Sequence, residues 1–258
     1  MTSKAIPQLT LFRGPGKPTA FTWSPFVIKL EARLRFAGLK YRSEAGPPKT
    51  APRGKIPYVS IEGERLSDST YIIKNFVDQG LIPDLNATLS PIQRAQDLAF
   101  RALMEEKVYF YATRERWVDN YYTMRSGLFA SMPFPLQVVI GWLASSAQAR
   151  TAYGQGTGRL TDDEITYLRE EVWESVDALL ADARINQNGD GPFWALGGNE
   201  PTEVDATLFG FIVSSLVCAA SPTSAAIVRN QSALVDYAKR IHERYFPDYE
   251  KWDCLGTS

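Results

Sequence analysis

Histidine occurs once in this sequence and cysteine twice, and that scarcity excludes several chemistries at the outset. A Ser-His-Asp hydrolase or a histidine-built zinc site needs more than the lone His242. His242 itself sits in "VDYAKRIHERYF", which reads as the polar face of a helix. Cys218, inside an apolar run, and Cys254, near the end of the chain, form neither a disulfide framework nor a metal cluster by spacing. Blocks of like charge are missing too. The formal net charge is −1, which carries no nucleic-acid footprint and no polybasic membrane anchor. The expected partners are therefore a small molecule or a protein, with no nucleic acid and no membrane. No run reaches the roughly 20 apolar residues that span a bilayer. The longest, "ATLFGFIVSSLVCAA", holds two serines and reads as a buried core helix. The stretch "MTSKAIPQLTLF" lacks the apolar centre of a secretory signal and the arginines of a transit peptide, so a cytoplasmic location is expected.

What is present is an ordinary core-forming composition, 45% hydrophobic and 22% charged over 258 residues, long enough for two units. "QLTLF" reads as a strand, and Pro25 to Leu39 as a helix with Val27, Leu30, Leu34 and Ala37 on one face and Gly38 at its end. A short strand at "KYR" follows. "YVSI" then turns through Glu62-Gly63 into a second strand ending near Leu66, a hairpin signal. Ser67 or Asp68 caps the next helix, which carries Ile72, Ile73, Phe76 and Val77 on one side and stops at Gly80. The order is β-α-β then β-β-α over residues 1–84, with "LIPDLNATLSP" as a linker. Residues 91–258 are predicted all-helical. One long helix starts at Ser90-Pro91 and runs through "EEKVYFYATRERWVDNYY", and Thr161-x-x-Glu164 and Thr202-x-x-Asp205 read as capping boxes. The glycine runs "FRGPGKPT" and "YGQGTG" lack phosphate-loop spacing and read as loops.

Three short stretches carry chemistry. Ser24 precedes an N1 proline at a helix start, where its hydroxyl serves either as a simple cap or as a donor to a bound anion such as a thiolate. A hydrogen bond to a charged group is worth about 1.5–3 kcal/mol and the helix terminus about 0.3–1 more. Together they would bring a thiol from about 8.5 into roughly the 5.5–7 range. In "KIPYV", Pro57 is a candidate cis proline, and Ile56 before it would present its backbone to a peptide-like ligand as an added strand. Asp68-Ser69 at a helix start offers N–H groups and a hydroxyl to a carboxylate, while Asp68 suits an ammonium. Lys55, and Lys40 or Lys49, suit a second carboxylate.

"SPFVIKLEARLRFAGLKY" followed by "GKIPYVSIEGERLSDSTYIIKNFVDQG" resembles the thioredoxin-like N-terminal domain of the glutathione transferase superfamily. The ordered set continues through "EEKVYFYATRERWVDNYY", "YGQGTGRLTDDEI" and "GGNEPTEVDATLFGFI", and is most similar to the failed-axon-connections and metaxin-like branch. The resemblance implies an α+β chain: a thioredoxin-like, glutathione-binding domain followed by an all-helical domain. It implies that Ser24 activates the glutathione thiol and that Ile56, before Pro57, pairs with the cysteinyl part. Asp68 and Ser69 would hold the γ-glutamyl group, and Lys55 would sit near the glycyl carboxylate. Thr202 and Asp205 match a structural capping box. The motif has no cysteine, so mixed-disulfide chemistry is not expected, and Thr22 is an alternative donor to the thiol. A hydrophobic second substrate is expected between the domains, near Phe21, Trp23, Tyr109, Arg114, Trp117 and Tyr121. It would be conjugated or, if an α,β-unsaturated or polyene compound, isomerised by addition, rotation and elimination. The other role that the resemblance implies is a non-catalytic interaction module of metaxin type. A homodimer is expected in either case.

Overall fold

Residues 58–67 show most directly how the sequence builds this molecule. In the computed structural model, which describes residues 9–46, 48–187 and 189–252, Tyr58–Ile61 (β3) and Glu64–Ser67 (β4) pair antiparallel around Glu62 and Gly63. Both turn residues have positive φ, 50° and 87°, the geometry of a two-residue turn whose twist matches the strands it joins. Leu9–Phe12 (β1) pairs antiparallel with β3 and parallel with Arg42–Glu44 (β2), giving the order β2-β1-β3-β4. The strand expected at "KYR" therefore begins at its last residue. Cys254 lies outside the described residues.

Pro25–Phe36 (α1) connects the parallel pair and runs back along the sheet. Its Leu30 and Leu34 join Leu9, Leu11 and Val59 with Ile72, Ile73 and Phe76 of Ser69–Asp78 (α2) in one apolar cluster. Ile28 and Ala32, on the other side of α1, enter the core of the helical domain instead. Because α1 is covered on both sides, Lys29, Glu31 and Arg33 are buried and each needs a partner. Lys29 Nζ lies 2.6 Å from Glu105 and 2.9 Å from the Thr70 hydroxyl. Arg33 reaches Glu203 at 2.6 Å and the Pro83 carbonyl, and Glu31 takes the Tyr249 hydroxyl at 2.7 Å and Arg13 at 3.4 Å. These pairs tie the two halves of the chain together.

The helical part comprises Pro91–Leu103 (α3), Tyr109–Arg114 (α4), Tyr121–Leu128 (α5), Phe134–Gln155 (α6), Asp162–Ile185 (α7), Glu203–Val217 (α8), Pro222–Asn230 (α9) and Ser232–Tyr245 (α10). The long helix expected from Pro91 is interrupted twice by π-helical turns, at Met104–Val108 and Glu115–Asp119, and bends at Asn120. The second turn lets two consecutive charged residues point inward. Glu115 pairs with Arg169 at 2.8 Å, and Arg116 reaches toward the N-terminal domain. The two expected capping boxes are present, and fully buried Asp205 accepts from the N–H groups of Thr202 and Ala195 and from the Tyr237 hydroxyl. The apolar run is the buried helix α8. It approaches α1 so closely that a Cβ on Gly210 would lie 2.6 Å from the Pro25 carbonyl oxygen and 2.8 Å from Lys29 N. Of the two glycine runs, "FRGPGKPT" is a loop, whereas α6 continues through Gly154 and ends at Gly156, where φ is 113°.

His242 is the other departure. It is 7% exposed, with rings of Phe21 and Trp252 within 6 Å and its Nε2 3.0 Å from the Tyr249 carbonyl. Leu234, Tyr237, Ala238, Ile241 and His242 share the buried stripe of α10, so helical spacing puts His242 on the apolar face and not the polar one.

Candidate active site

Strand register brings three separate stretches to one edge of the sheet. Phe12 pairs with Tyr58 and Tyr58 with Ser67, so the end of β1, the start of β3 and the end of β4 lie side by side. The chain just beyond each is the loop to Ser24, the Ile56-Pro57 pair and Asp68-Ser69. Since α1 runs opposite to β1, its N-terminus returns to the same edge. The loop after β1 lies against the second stretch, for a Cβ on Gly14 would meet Ile56 Cδ1 at 2.6 Å.

Ser24 is the N-cap of α1 and half-buried, and its Oγ accepts from the Val27 N–H at 3.4 Å. Its hydroxyl proton is donated to no group among the described residues, at the positive end of a helix. Thr22 is 7% exposed and turned onto the backbone: its Oγ1 accepts from the Ser24 N–H at 3.4 Å. The Ile56-Pro57 peptide is cis. Neither the N–H nor the C=O of Ile56 pairs with another described backbone group. Asp68 adopts φ 77°, a strained conformation for a residue with a Cβ, and caps α2 by accepting from the N–H groups of Thr70 and Tyr71. Its other oxygen faces Arg53 at 3.7 Å, and that guanidinium stacks on Tyr71. One Asp68 oxygen is thus committed to the helix, which leaves the Ser69 N–H at the helix start without a partner among the described residues. Lys55 is exposed and ion-paired with no described residue.

The six residues expected to line a second-substrate pocket do not share one cleft. Phe21 is 8% exposed and packs into the helical core against Phe209, Phe246 and Tyr249, so it is closed to a ligand. Arg114 ion-pairs with Asp119 and Asp162 at 3.3 and 2.7 Å, and Trp117 is buried with Met124 and Cys218. Tyr121 lies under Arg125 beside Gly141 of α6. Trp23 and Tyr109 do reach the neighbourhood of Ser24. The Trp23 ring is half-buried against Gly127, where a Cβ would come within 2.1 Å of Cη2, and Tyr109 packs on Phe26 with ring centres 5.1 Å apart. Burial raises the Tyr109 pKa, keeping a neutral phenol there.

Sequence reasoning missed Arg53, Phe26 and Arg116. Buried Arg116 donates to the Trp23 carbonyl at 2.8 Å and to the hydroxyls of Ser214 and Ser221 at 3.0 and 2.6 Å. Ser214 Oγ donates to the same carbonyl at 2.7 Å. The helical domain thus grips the residue preceding Ser24 with a guanidinium that has no carboxylate partner among the described residues. Nothing in the local sequence marks Arg116, because its acceptors lie far away in the chain. A separate cavity of about 200 Å³, lined by Lys29, Thr70, Asp84, Arg101 and Glu203 among others, does not include Ser24.

The sequence profile of the glutathione S-transferase N-terminal domain matches residues 25–124. The isoprene-epoxide glutathione S-transferase of Rhodococcus sp. strain AD45 is 28% identical over 86% of this chain and 92% of its own length. Mouse metaxin-2 is 25% identical over 87% of this chain and 83% of its own. A solved glutathione transferase from Phanerochaete chrysosporium superposes with a TM-score of 0.59 over 95% of this chain and 98% of its own at 18% identity, so the fold is shared. Sequence profile, relatives and architecture agree: residues 25–124 match the glutathione S-transferase N-terminal domain, and the chain as a whole has the glutathione transferase fold and is similar in sequence to a glutathione transferase and to metaxins.

Proposed function

We propose that the protein is a glutathione-dependent transferase in which Ser24 holds the glutathione sulfur as a thiolate for attack on an electrophilic carbon of an apolar substrate. The observation that carries this is the Ser24 hydroxyl. Its acceptor side is occupied by Val27 N–H and its proton has no acceptor among the described residues, at a helix start. A proton so placed stabilises an anion and not a neutral thiol. The unpaired backbone of Ile56 suits the peptide part of glutathione, the Ser69 N–H and hydroxyl suit its γ-glutamyl carboxylate, and Lys55 or Arg53 suits the glycyl end. Asp68, half-committed to its helix, offers one oxygen to the ammonium.

For the second substrate, Trp23, Phe26 and Tyr109 supply an apolar wall with one phenol donor. The Rhodococcus relative, named for an isoprene epoxide, supports conjugation of a small epoxide or a related electrophile. In that reaction the sulfur–carbon bond forms as the carbon–oxygen bond breaks, and the alkoxide takes a proton from Tyr109 or water. With an α,β-unsaturated or polyene compound, the same thiolate would instead add, permit rotation and depart, leaving glutathione unconsumed. A non-catalytic role of metaxin type draws support from the metaxin-2 similarity.

The test is an ultraviolet difference titration of the protein with glutathione across pH, following thiolate absorbance, alongside calorimetry. A thiolate forming near neutral pH is the expected result, and glutathione consumption with an epoxide would then separate conjugation from isomerisation. Absence of both absorbance change and binding heat would reject the enzyme and favour the interaction module.

A further inference from the structure

Helix α6 turns its large apolar side chains outward. The side that meets the domain is small or polar: Gly141 is buried against Arg125 and Tyr121, Ala144 packs beside Trp117, and the Ser145 hydroxyl donates to the Trp117 carbonyl at 2.7 Å. The opposite side carries Leu136, Val138, Val139, Trp142 and Leu143, all exposed, with Trp142 at 64% and Phe134 at the helix start at 66%. At ~100° per residue these side chains cover about half of the helix circumference, and Arg150 falls within the same arc. A soluble helix places such a stripe against its core, and an outward apolar patch marks a contact surface.

Charge identifies what covers it. Between Asp119 and Asp162 there is no acidic residue, whereas Arg125, Arg150 and Arg159 are all present, so this segment carries +3 and the remainder of the chain −4. Two of the arginines belong to the apolar face: Arg150 is exposed within its arc and Arg159 lies over Tyr153 just past the end of α6, while half-buried Arg125 packs inward on Gly141. A second copy pairing through this face would bring Arg150 and Arg159 toward their own kind, with no carboxylate on α6 itself to offset them. A bilayer with anionic headgroups satisfies both features, since Trp and Leu enter the headgroup–acyl boundary while flanking arginines reach the phosphates. No single described helix is long and apolar enough to cross a membrane, so the helix would lie on the surface.

We infer that the outward face of α6 docks the protein onto anionic lipid membranes. This goes beyond the glutathione chemistry and does not depend on it. The test is co-sedimentation of the full chain with vesicles of phosphatidylcholine alone and of phosphatidylcholine with one quarter phosphatidylserine, with light scattering in parallel. The expected result is binding to the serine-containing vesicles that falls with added salt. Binding should drop about tenfold or more in Trp142→Glu/Leu143→Glu and about fivefold in Arg150→Gln. Both variants change exposed side chains, and an unchanged far-ultraviolet circular dichroism spectrum will show that they fold. Three results would overturn the inference: no binding to either vesicle, equal binding to both, or a solution mass that halves in the double variant, which would give the face to a second copy.

Discussion

Ser24→Ala separates the two duties of one hydroxyl. As a cap it accepts from Val27 N–H at 3.4 Å, a long bond. The loss of stability should therefore sit at the low end of the usual range for such caps, about 0.5–1 kcal/mol. As a donor to a bound thiolate it is worth about 1.5–3 kcal/mol, or roughly one to two pKa units at about 1.36 kcal/mol each. The start of α1 persists in the variant and continues to favour the anion by about 0.3–1 kcal/mol. The bound thiol should thus titrate below free glutathione but well above its value in the unaltered protein. The sign follows from thiolate fraction. Below both midpoints the variant should be about 10–100-fold slower, and the two rates should converge once both thiols are ionised. The assay is kcat/KM for an epoxide across pH, with thiolate absorbance read on the same samples. A loss of equal size at every pH, or an unmoved absorbance midpoint, would refute Ser24 as the activator. Thr22→Val is the control: buried Thr22 holds the Ser24 backbone, so its loss should lower rates at all pH values without moving the midpoint.

Gly210→Ala should force α8 away from α1, because the new methyl would overlap backbone atoms of Pro25 and Lys29 that cannot swing aside. About 1–3 kcal/mol of destabilisation is expected, and an unchanged melting temperature in calorimetry would show that this contact is not tight. Arg116→Lys keeps the charge but loses the fork that reaches Trp23, Ser214 and Ser221 together. It should lower kcat by about tenfold, with Ser214→Ala milder; an unchanged kcat would show that the Trp23 carbonyl needs no grip from the helical domain. Burial lowers the His242 pKa, so the unfolded chain binds that proton more readily and stability should fall as pH drops below about 6.5. Urea midpoints of His242→Asn should show a flatter acid limb, and an identical limb would assign acid sensitivity to other groups. A homodimer is expected in solution; a monomer mass by light scattering would contradict it.

The N-terminal domain was legible because local rules decide it. Alternation over Tyr58–Ser67 around Glu62-Gly63 can form little other than a hairpin, and Ser24-Pro25 and Asp68 mark helix starts whatever they pack against. Register then carries the site, since pairing Phe12 with Tyr58 and Tyr58 with Ser67 leaves the candidate ligand groups nowhere else to lie. The pocket wall was less legible. Phe21 and Trp23 look alike in the loop, but the fate of Phe21 is set by Phe246, Tyr249 and Trp252 at the other end of the chain. The break of the long helix at Glu115–Asp119 is likewise invisible locally. It exists because Glu115 and Arg116 both have partners in distant elements, and only a widened turn aims neighbouring residues into the same interior.

Helix α6 shows why net charge and hydropathy, averaged over a chain, hide a surface. A net charge of −1 excludes a polybasic anchor by count, yet it sums a +3 segment with a −4 remainder. Periodicity has the same blindness. It shows that Val138, Val139, Trp142 and Leu143 share a side, but the expectation that this side faces inward assumes that the domain needs them for its core. Here Leu208, Phe209, Ile212 and their neighbours on α8 already fill that core, and α6 is added outside it through Gly141 and Ala152. A helix held by its small residues has its large ones free, and the absence of acidic residues along α6 itself limits which partners they fit.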